Sequence, residues 1–288
     1  MKILVTGVKG QLGYDVCREL SARGIENRGV DIEDFDITDA DAVRAYLTDY
    51  APDAVIHCSA FTAVDRAEDE QELCHRVNAE GTANIARVAA ELEAKMLYIS
   101  TDYVFPGNGE DFYTPHSPTG PLSVYGKTKL EGEAAVRAAS NRHFIVRISW
   151  VFGINGNNFV KTMLRLSETR EEINVVADQI GSPTYTYDLS VLLADMILSE
   201  KYGTYHATNE GLCSWAELAA ETMRLAGRGM KVNPIPTASY PTRASRPLNS
   251  RMSKDCLTEA GFDRLPPWKD ALARYLAELG ITEAKEKA

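Results

Sequence analysis

Short apolar runs alternate with helical patterns along the first half of the chain, and this alternation limits the possible folds more than any other feature. The strand-like runs cover residues 2–6, a stretch that ends near residue 31, and residues 53–58, 95–100 and 144–149. Segments with helical spacing of apolar residues lie between them. Strands that alternate with helices form parallel sheets. The sequence therefore predicts an α/β fold with a doubly wound parallel sheet.

Three glycines, Gly7, Gly10 and Gly13, follow the first run, and a helical pattern begins at Leu12. A strand, a glycine turn and a helix in this order suit a dinucleotide, because the glycines let the backbone approach the pyrophosphate and a helix N-terminus favours negative charge. The spacing is one residue wider than the usual motif. We predict that Gly7, Gly10, Gln11 and Leu12 bind NADPH or NADH in a Rossmann-type fold. A tight turn without a ligand is the alternative.

An acidic residue, Asp31, ends the second run about 20 residues after the glycines, where such a residue bonds the adenosine ribose in NAD-binding folds. A carboxylate there repels a 2′-phosphate and favours NADH, although Arg28 nearby would partly offset this preference. Asp36 and Ile37 begin the sequence Asp-Ile-Thr-Asp, which has two possible roles. It is predicted either to contact the adenine or to cap the next helix.

Small residues follow the third run, and Ala60 and Thr62 among them are predicted to lie against the cofactor. His57, within that run, is a tempting catalytic candidate. A histidine in an apolar strand is more often a hydrogen-bonded core residue, and this is the interpretation we favour.

Tyr125 and Lys129 lie four residues apart in a helical pattern, so their side chains share one face of the helix. An ammonium beside a phenol lowers the pKa of the phenol and lets it act as a proton donor, and the lysine can also bind a ribose hydroxyl. Thr101, Asp102 and Tyr103 follow the fourth run, at the end of a strand where parallel sheets bind ligands. This pattern predicts a proton relay in which Thr101 polarises a carbonyl. A solvated helix face is the alternative.

The second half of the chain has shorter and less regular patterns, and we expect a smaller substrate domain that is partly interleaved with the first. The predicted division separates residues 1–152 from residues 153–288. Trp150 at the end of the fifth run is either a core residue or a stacking partner for a ligand ring. Two arginines in residues 246–251 suit a diphosphate through charge-assisted hydrogen bonds. A surface loop with solvated arginines is the alternative.

The formal net charge of −10 argues against nucleic acid as a partner. The five cysteines are scattered and odd in number, which predicts reduced thiols in a cytoplasmic protein without a cysteine metal site. No apolar run approaches the ~20 residues of a membrane helix, and no signal peptide precedes the first strand, so we expect no membrane partner. The charged tail, residues 282–288, is expected to fray.

Four motifs occur in one order along the chain, and together they resemble the dTDP-4-dehydrorhamnose reductase family of extended short-chain dehydrogenases. They are Thr6-Gly7-x-x-Gly10-x-x-Gly13, Ser100-Thr101-Asp102-Tyr103-Val104-Phe105, Tyr125-Gly126-Lys127-Thr128-Lys129 and Arg246-Pro247-x-Asn249-Ser250. Residues 62–65, 158–164 and 178–184 extend the resemblance over nearly the whole chain.

The resemblance implies reduction of the 4-keto group of dTDP-4-dehydro-β-L-rhamnose to dTDP-β-L-rhamnose, a precursor of bacterial surface polysaccharides. The catalytic residues of the family fall on Thr101, Tyr125 and Lys129. Both NADPH and NADH serve as cofactors in this family. The residues that the resemblance places at the nucleotide-sugar substrate are Thr101, Asp102, Tyr103, Tyr125, Trp150, Arg246, Asn249 and Ser250.

Some members of the family dimerise around a magnesium ion. Asp15 stands where one ligand would be expected, but one carboxylate is not a site, so the resemblance leaves magnesium open and allows a monomer or a homodimer. Two other functions also remain open. One is reduction of a different nucleotide 4-keto-6-deoxysugar. The other is the non-catalytic regulatory subunit of methionine adenosyltransferase, which resembles this family but lacks the tryptophan found here at Trp150.

Overall fold

The computed structural model describes residues 1–281, so the predicted fraying of residues 282–288 lies outside the described part of the chain. The strands are β1 (Lys2–Thr6), β2 (Glu26–Val30), β3 (Ala54–His57), β4 (Lys95–Thr101), β5 (His143–Ile148), β6 (Val151–Phe152), β7 (Glu172–Val176), β8 (Ile180–Gly181), β9 (Thr184–Tyr185), β10 (Gly203–His206), β11 (Cys213–Ser214) and β12 (Lys231–Ile235). The α-helices are α1 (Gln11–Ala22), α2 (Ala40–Tyr50), α3 (Val64–Ala67), α4 (Gln71–His75), α5 (Thr82–Glu91), α6 (Val124–Ala139), α7 (Phe159–Leu166), α8 (Thr186–Leu198), α9 (Trp215–Leu225), α10 (Asp255–Glu259) and α11 (Trp268–Glu278).

Within the described chain, the central sheet has six strands in the order β10-β5-β4-β3-β1-β2. Every neighbouring pair in it is parallel. The five strand-like runs singled out in the sequence correspond to β1 through β5. The predicted α/β fold with a doubly wound parallel sheet is therefore confirmed.

Helices cover both faces of this sheet. Ile3 and Val5 of β1 face a core that includes residues of α1 and α8. Leu4 lies between them in sequence and packs in a second core with residues of α2 and α5. Because successive side chains of a strand point to opposite faces, one apolar strand contributes to both cores. This explains why residues 3–5 of β1 are all apolar instead of alternating with polar residues.

The strand order reverses at β1, since β2 lies on one side of it and β3 begins the series on the other side. The two connections that leave β1 and β3 therefore diverge to opposite faces of the sheet. In open α/β sheets a crevice forms beyond the carboxyl ends of the strands at such a reversal, and ligands bind there. The topology thus places a binding site beyond Thr6 and His57.

Most of the chain after Phe152 forms a smaller layer with its own core, in which Val160, Leu218 and Trp268 are buried. Three short strand pairs, β6 with β9, β7 with β12 and β8 with β11, belong to this layer. Two elements of the second half return to the first, because β10 is an edge strand of the central sheet and α8 packs on α1. This is the partial interleaving expected from the sequence. The division at residue 152 stays a prediction.

The helical segment between β3 and β4 is interrupted. A break after α3 precedes α4, and π-helical turns at Arg76–Gly81 join α4 to α5. Such wide turns occur mostly as local bulges in helices and often at functional sites. Here they contain Asn78, which is fully buried.

Candidate active site

A cleft of about 860 Å³ opens at the carboxyl ends of the central strands. The residues predicted at the cofactor all line it: Gly7, Gly10, Gln11, Leu12, Asp31, Asp36, Ile37, Ala60, Thr62, Tyr125 and Lys129. Four residues predicted at the substrate, Thr101, Asp102, Tyr103 and Trp150, line the same cleft. One cavity therefore brings together segments that lie far apart in the sequence.

The glycine turn has the shape that a diphosphate requires. Gly7 has a positive φ of 72°, and a Cβ at Gly13 would collide with the carbonyl oxygen of Gly7. Gly10 caps α1 without a side-chain hydrogen bond, and the first turn of α1 carries no acidic residue. The first N–H groups of a helix have no intrahelical partner and favour an anion. The residues present therefore fit the pyrophosphate of a dinucleotide.

Next to the glycine turn, Asp31 follows β2 and accepts hydrogen bonds from the backbone N–H groups of Lys9 and Ile32, both at 2.9 Å. The Arg28 guanidinium lies 4.2 Å from the centre of the Tyr50 ring, so it packs on that ring instead of pairing with Asp31. The side chain of Lys9 pairs with Glu33 at 2.6 Å. Acidic charge therefore dominates this end of the cleft.

The two roles considered for the Asp-Ile-Thr-Asp sequence fall on different residues. Asp39, its last residue, caps α2 by accepting from the N–H groups of Asp41 and Ala42. Asp36 and Ile37 line the cleft instead. The adenine contact predicted for these two residues is compatible with this placement.

The loop that contains Ala60 and Thr62 is held by a residue that sequence analysis did not assign to the site. The Asn78 amide accepts from the Phe61 N–H at 2.7 Å and donates to the Phe61 carbonyl at 3.1 Å. It also donates to the Thr128 hydroxyl at 3.2 Å, on the helix of Tyr125. Asn78 thus ties the cofactor loop to α6, and only the tertiary contacts show it.

His57 is a satisfied core histidine, as predicted. Its Nδ1 lies 2.7 Å from the Thr6 hydroxyl and its Nε2 lies 3.2 Å from the Thr82 hydroxyl. Complete burial and the nearby Lys129 charge lower its pKa to about 3, so the ring is neutral.

Thr101 ends β4, and Tyr125 and Lys129 occupy successive turns of α6. Ser123 caps this helix by accepting from the Gly126 N–H at 3.1 Å. A side chain at Gly126 would collide with the carbonyl oxygen of Tyr103, so a glycine lets the helix approach the end of β4 closely. The Tyr125 ring then lies edge-on to the Tyr103 ring, with 5.5 Å between centroids. Thr101, Tyr125 and Lys129 all line the cleft in this arrangement.

Burial is the main cause of the pKa shifts of Tyr125 and Lys129. It lowers the pKa of Lys129 to about 7, and the lysine Nζ donates to the Ile99 carbonyl at 2.7 Å. Burial raises the pKa of the Tyr125 phenol well above its ordinary value, although a hydrogen bond with Thr101 opposes the shift. The predicted depression of the phenol pKa by Lys129 is therefore wrong for the free protein. A neutral phenol is nevertheless the form that donates a proton.

Asp102 lies next to this trio and is 3 % exposed. Burial raises its pKa to about 6, and hydrogen bonds from Ser250 and Thr101 oppose that rise. The Ser250 hydroxyl donates to one carboxylate oxygen at 2.5 Å, and the Thr101 hydroxyl donates to the other at 3.0 Å. Asp102 thus links the end of β4 to the C-terminal segment.

The C-terminal residues predicted at the substrate have partners within the protein. Asn249 is buried and donates to the carbonyl groups of Asn108 and Asp111, at 3.2 and 2.9 Å. Ser250 is buried against Asp102. Of this segment, Pro247 lines the cleft in the described structure. The substrate roles of Asn249 and Ser250 stay predictions.

Trp150 lines the cleft with an unusual backbone, since its φ is +51°, a region that non-glycine residues rarely occupy. Its ring stacks on Trp215 with centroids 3.9 Å apart, and Trp215 also lines the cleft. Trp215 is the first residue of α9, and sequence analysis did not assign it to the site. The stacking of its ring on Trp150 cannot be predicted from local sequence spacing.

Asp15, considered as a magnesium ligand, is fully buried and accepts from the Thr186 hydroxyl. Among residues 1–281, no group of three or more His, Cys, Asp or Glu side chains is arranged to hold a metal ion. In the same part of the chain, no helix is both long and apolar enough to cross a membrane.

Comparison with known proteins agrees with this geometry. The spore coat polysaccharide biosynthesis protein SpsK of Bacillus subtilis (strain 168) is 40% identical over 277 residues, covering 96% of this chain and 97% of that protein. A dTDP-4-dehydrorhamnose reductase of Sinorhizobium fredii is 40% identical over 297 residues, covering 99% of this chain and 100% of that protein. The crystal structure of dTDP-4-dehydrorhamnose reductase from Bacillus anthracis in complex with NADP has a TM-score of 0.94 and 41% identity, and the match covers 96% of this chain and 100% of that chain.

The family model described as the RmlD substrate binding domain matches residues 1–281. This match and those relatives cover both the glycine turn and the C-terminal segment at Arg246. The chain therefore belongs to the dTDP-4-dehydrorhamnose reductase family of extended short-chain dehydrogenases.

Proposed function

We propose that this chain reduces the 4-keto group of dTDP-4-dehydro-β-L-rhamnose to dTDP-β-L-rhamnose with NADPH or NADH. The observation that carries the proposal is that Thr101, Tyr125 and Lys129 line the same cleft as the glycine turn at Gly7. A proton donor and a dinucleotide site in one cavity suit hydride transfer to a carbonyl. The named relatives support the choice of sugar.

In this mechanism a bound nicotinamide supplies the hydride, and the chain supplies the proton and the orientation. Tyr125 gives its phenolic proton to the sugar oxygen as negative charge develops there. The Thr101 hydroxyl, which donates to Asp102 in the described structure, would turn its single proton to the same oxygen when the substrate binds. Lys129 binds the ribose next to the nicotinamide and places positive charge near the phenol when protonated.

The substrate end of the cleft is assigned to Trp150, Asp102 and Tyr103, with Arg246, Asn249 and Ser250 in the segment that meets the nucleotide. Arg246 is the residue suited to the diphosphate, because a guanidinium forms paired hydrogen bonds to phosphate oxygens.

We also propose a cytoplasmic protein that acts as a monomer or a homodimer, with the nucleotide sugar as its partner.

The test is the loss of absorbance at 340 nm with purified protein, NADPH or NADH, and keto sugar made from dTDP-glucose by its dehydratase and epimerase. Oxidation that requires the epimerase supports the proposal. Oxidation without the epimerase indicates a different keto sugar. If the cofactor binds but is not oxidised, reduction of this sugar is refuted, and a different nucleotide keto sugar or the regulatory-subunit alternative is favoured.

The Asp31→Ala variant should change the choice of cofactor. Removing the carboxylate removes repulsion of a 2′-phosphate, so the ratio of kcat/KM for NADPH to that for NADH should rise about tenfold. The exposed Asp41→Ala variant, on the first turn of α2, serves as control and should leave the ratio unchanged. An unchanged ratio for Asp31→Ala would show that this carboxylate does not face the ribose.

A further inference from the structure

A short strap, residues 243–247, crosses from the C-terminal half to the rim of the cleft and is bonded there to Asp65. One carboxylate oxygen of Asp65 accepts from the backbone N–H of Ala244 at 3.1 Å. The other accepts from Nη2 of Arg246 at 2.6 Å. Asp65 lies in the first turn of α3, directly after the cofactor loop that contains Thr62. One carboxylate therefore fixes both the backbone of the strap and its arginine.

The other side of the Arg246 guanidinium faces the catalytic residues. Its Nη1 donates to the Tyr103 hydroxyl at 3.3 Å, and the Tyr103 ring packs edge-on against Tyr125. Pro247, the next residue of the strap, lines the cleft. The two hydrogen bonds use part of the donors of a guanidinium, which has further N–H groups for a ligand. Arg246 is thus held at the rim of the cleft, and some of its guanidinium N–H groups are left to bind a ligand.

The Arg246 side chain is 30% exposed and that of Asp65 is 42% exposed, so solvent still reaches the pair. An exposed ion pair contributes little to stability. Its orientation matters more, because an arginine held in its binding conformation loses less entropy when a ligand arrives. The pair is therefore better suited to presenting a cation than to holding the fold.

We propose that Asp65 is a positioning residue for the substrate diphosphate, which it serves by orienting Arg246. The inference rests on the proposed function, in which Arg246 meets the diphosphate. It adds a residue from the cofactor half of the chain to recognition of the nucleotide sugar. The cofactor loop and the substrate strap are thereby coupled through one carboxylate.

A second ion pair provides a matched control. Arg243, at the start of the same strap, pairs with Asp69, and these side chains are 69% and 45% exposed. Like Asp65 and Arg246, they are not among the residues that line the cleft in the described chain, but Arg246 bonds Tyr103, which does line it. This pair anchors the strap without contacting Arg246. Asp69→Asn therefore reports what loss of a strap anchor does alone.

The test compares Asp65→Asn with Asp69→Asn in steady-state kinetics. We expect Asp65→Asn to raise KM for the nucleotide sugar about tenfold, with kcat changed less than about threefold and KM for the cofactor unchanged. Asp69→Asn should leave all three parameters unchanged. In an Arg246→Ala background, Asp65→Asn should have no further effect on KM, since the two residues act as a unit.

Equal KM changes in Asp65→Asn and Asp69→Asn would overturn the inference, because Asp65 would then be a strap anchor only. A decrease in KM would also overturn it, because Asp65 would then compete with the diphosphate for Arg246. Calorimetric titration with dTDP separates this inference from the proposed function. An inactive wild-type protein refutes the function, yet about tenfold weaker dTDP binding by Asp65→Asn would still support the role of Asp65.

Discussion

The Tyr125→Phe variant is expected to lose at least ~100-fold in kcat while its affinity for the cofactor stays unchanged. The substitution deletes only the phenolic oxygen and keeps the ring that packs against Tyr103. Because burial raises the pKa of Tyr125, the wild-type phenol carries its proton at neutral pH and can donate it. The measurement is turnover at saturating keto sugar, followed at 340 nm, together with a fluorescence titration of the cofactor.

Tyr113→Phe is the matched control for this loss. Tyr113 stacks on Phe105 at 4.3 Å and donates to the Asn108 carbonyl at 2.9 Å, apart from the described residues that line the cleft. It should keep turnover within about twofold, because it deletes the same atom from a surface hydrogen bond. Near-normal turnover in Tyr125→Phe would remove Tyr125 from the mechanism. Parallel loss of cofactor binding would indicate a damaged site instead.

The parts of this site that sequence analysis predicts correctly are those whose geometry is local. Gly7, Gly10 and Gly13 specify a turn between a strand and a helix, since a positive φ and close backbone approach need residues without side chains. Tyr125 and Lys129 share a helix face at any place where that helix forms. The order of strands and helices then places both segments at one edge of the sheet.

The parts it does not predict depend on contacts between distant segments. Asn78 holds the cofactor loop through Phe61, and Trp215 stacks on Trp150, but neither contact follows from spacing along the chain. The pKa of Tyr125 shows the same limit. Sequence spacing shows that Lys129 is one helical turn away from Tyr125. The largest effect on the Tyr125 pKa is burial, which other elements of the chain cause.

The direction in which a side chain points in an irregular segment also cannot be predicted from the local sequence pattern. Arg246, Asn249 and Ser250 lie within five residues of sequence, yet they face three different partners. Arg246 contacts Asp65, Asn249 holds the backbone near Asp111, and Ser250 bonds Asp102. In a helix or strand, periodicity would indicate which of them face the cleft. Residues 246–250 belong to no helix or strand and have no such periodicity.

A buried ion pair joins α6 to the central sheet. Glu133, one turn after Lys129, accepts from Nε and Nη2 of Arg147, both at 2.8 Å, and from the Ser100 hydroxyl at 2.6 Å. The side chains of Glu133 and Arg147 are 0% and 2% exposed. Burial alone would raise the pKa of Glu133, but the hydrogen bonds and charge of Arg147 hold it below its ordinary value of 4.5. The pair is therefore charged at neutral pH and joins α6 to β4 and β5.

The Glu133→Gln variant is expected to lower the free energy of unfolding by about 3 kcal/mol, because it leaves the Arg147 charge buried without its partner. Urea denaturation at pH 7 measures the loss. Glu131→Gln, on the same helix, removes an exposed carboxylate 3.0 Å from His75 and should change stability by less than about 0.5 kcal/mol.

Since the native pKa of Glu133 is depressed, its contribution is complete above pH 4.5 and is lost as the pH falls through the native pKa. The difference between wild type and Glu133→Gln should therefore shrink in acid, and an equal difference at pH 7 and in acid would show that charge is not what Glu133 contributes.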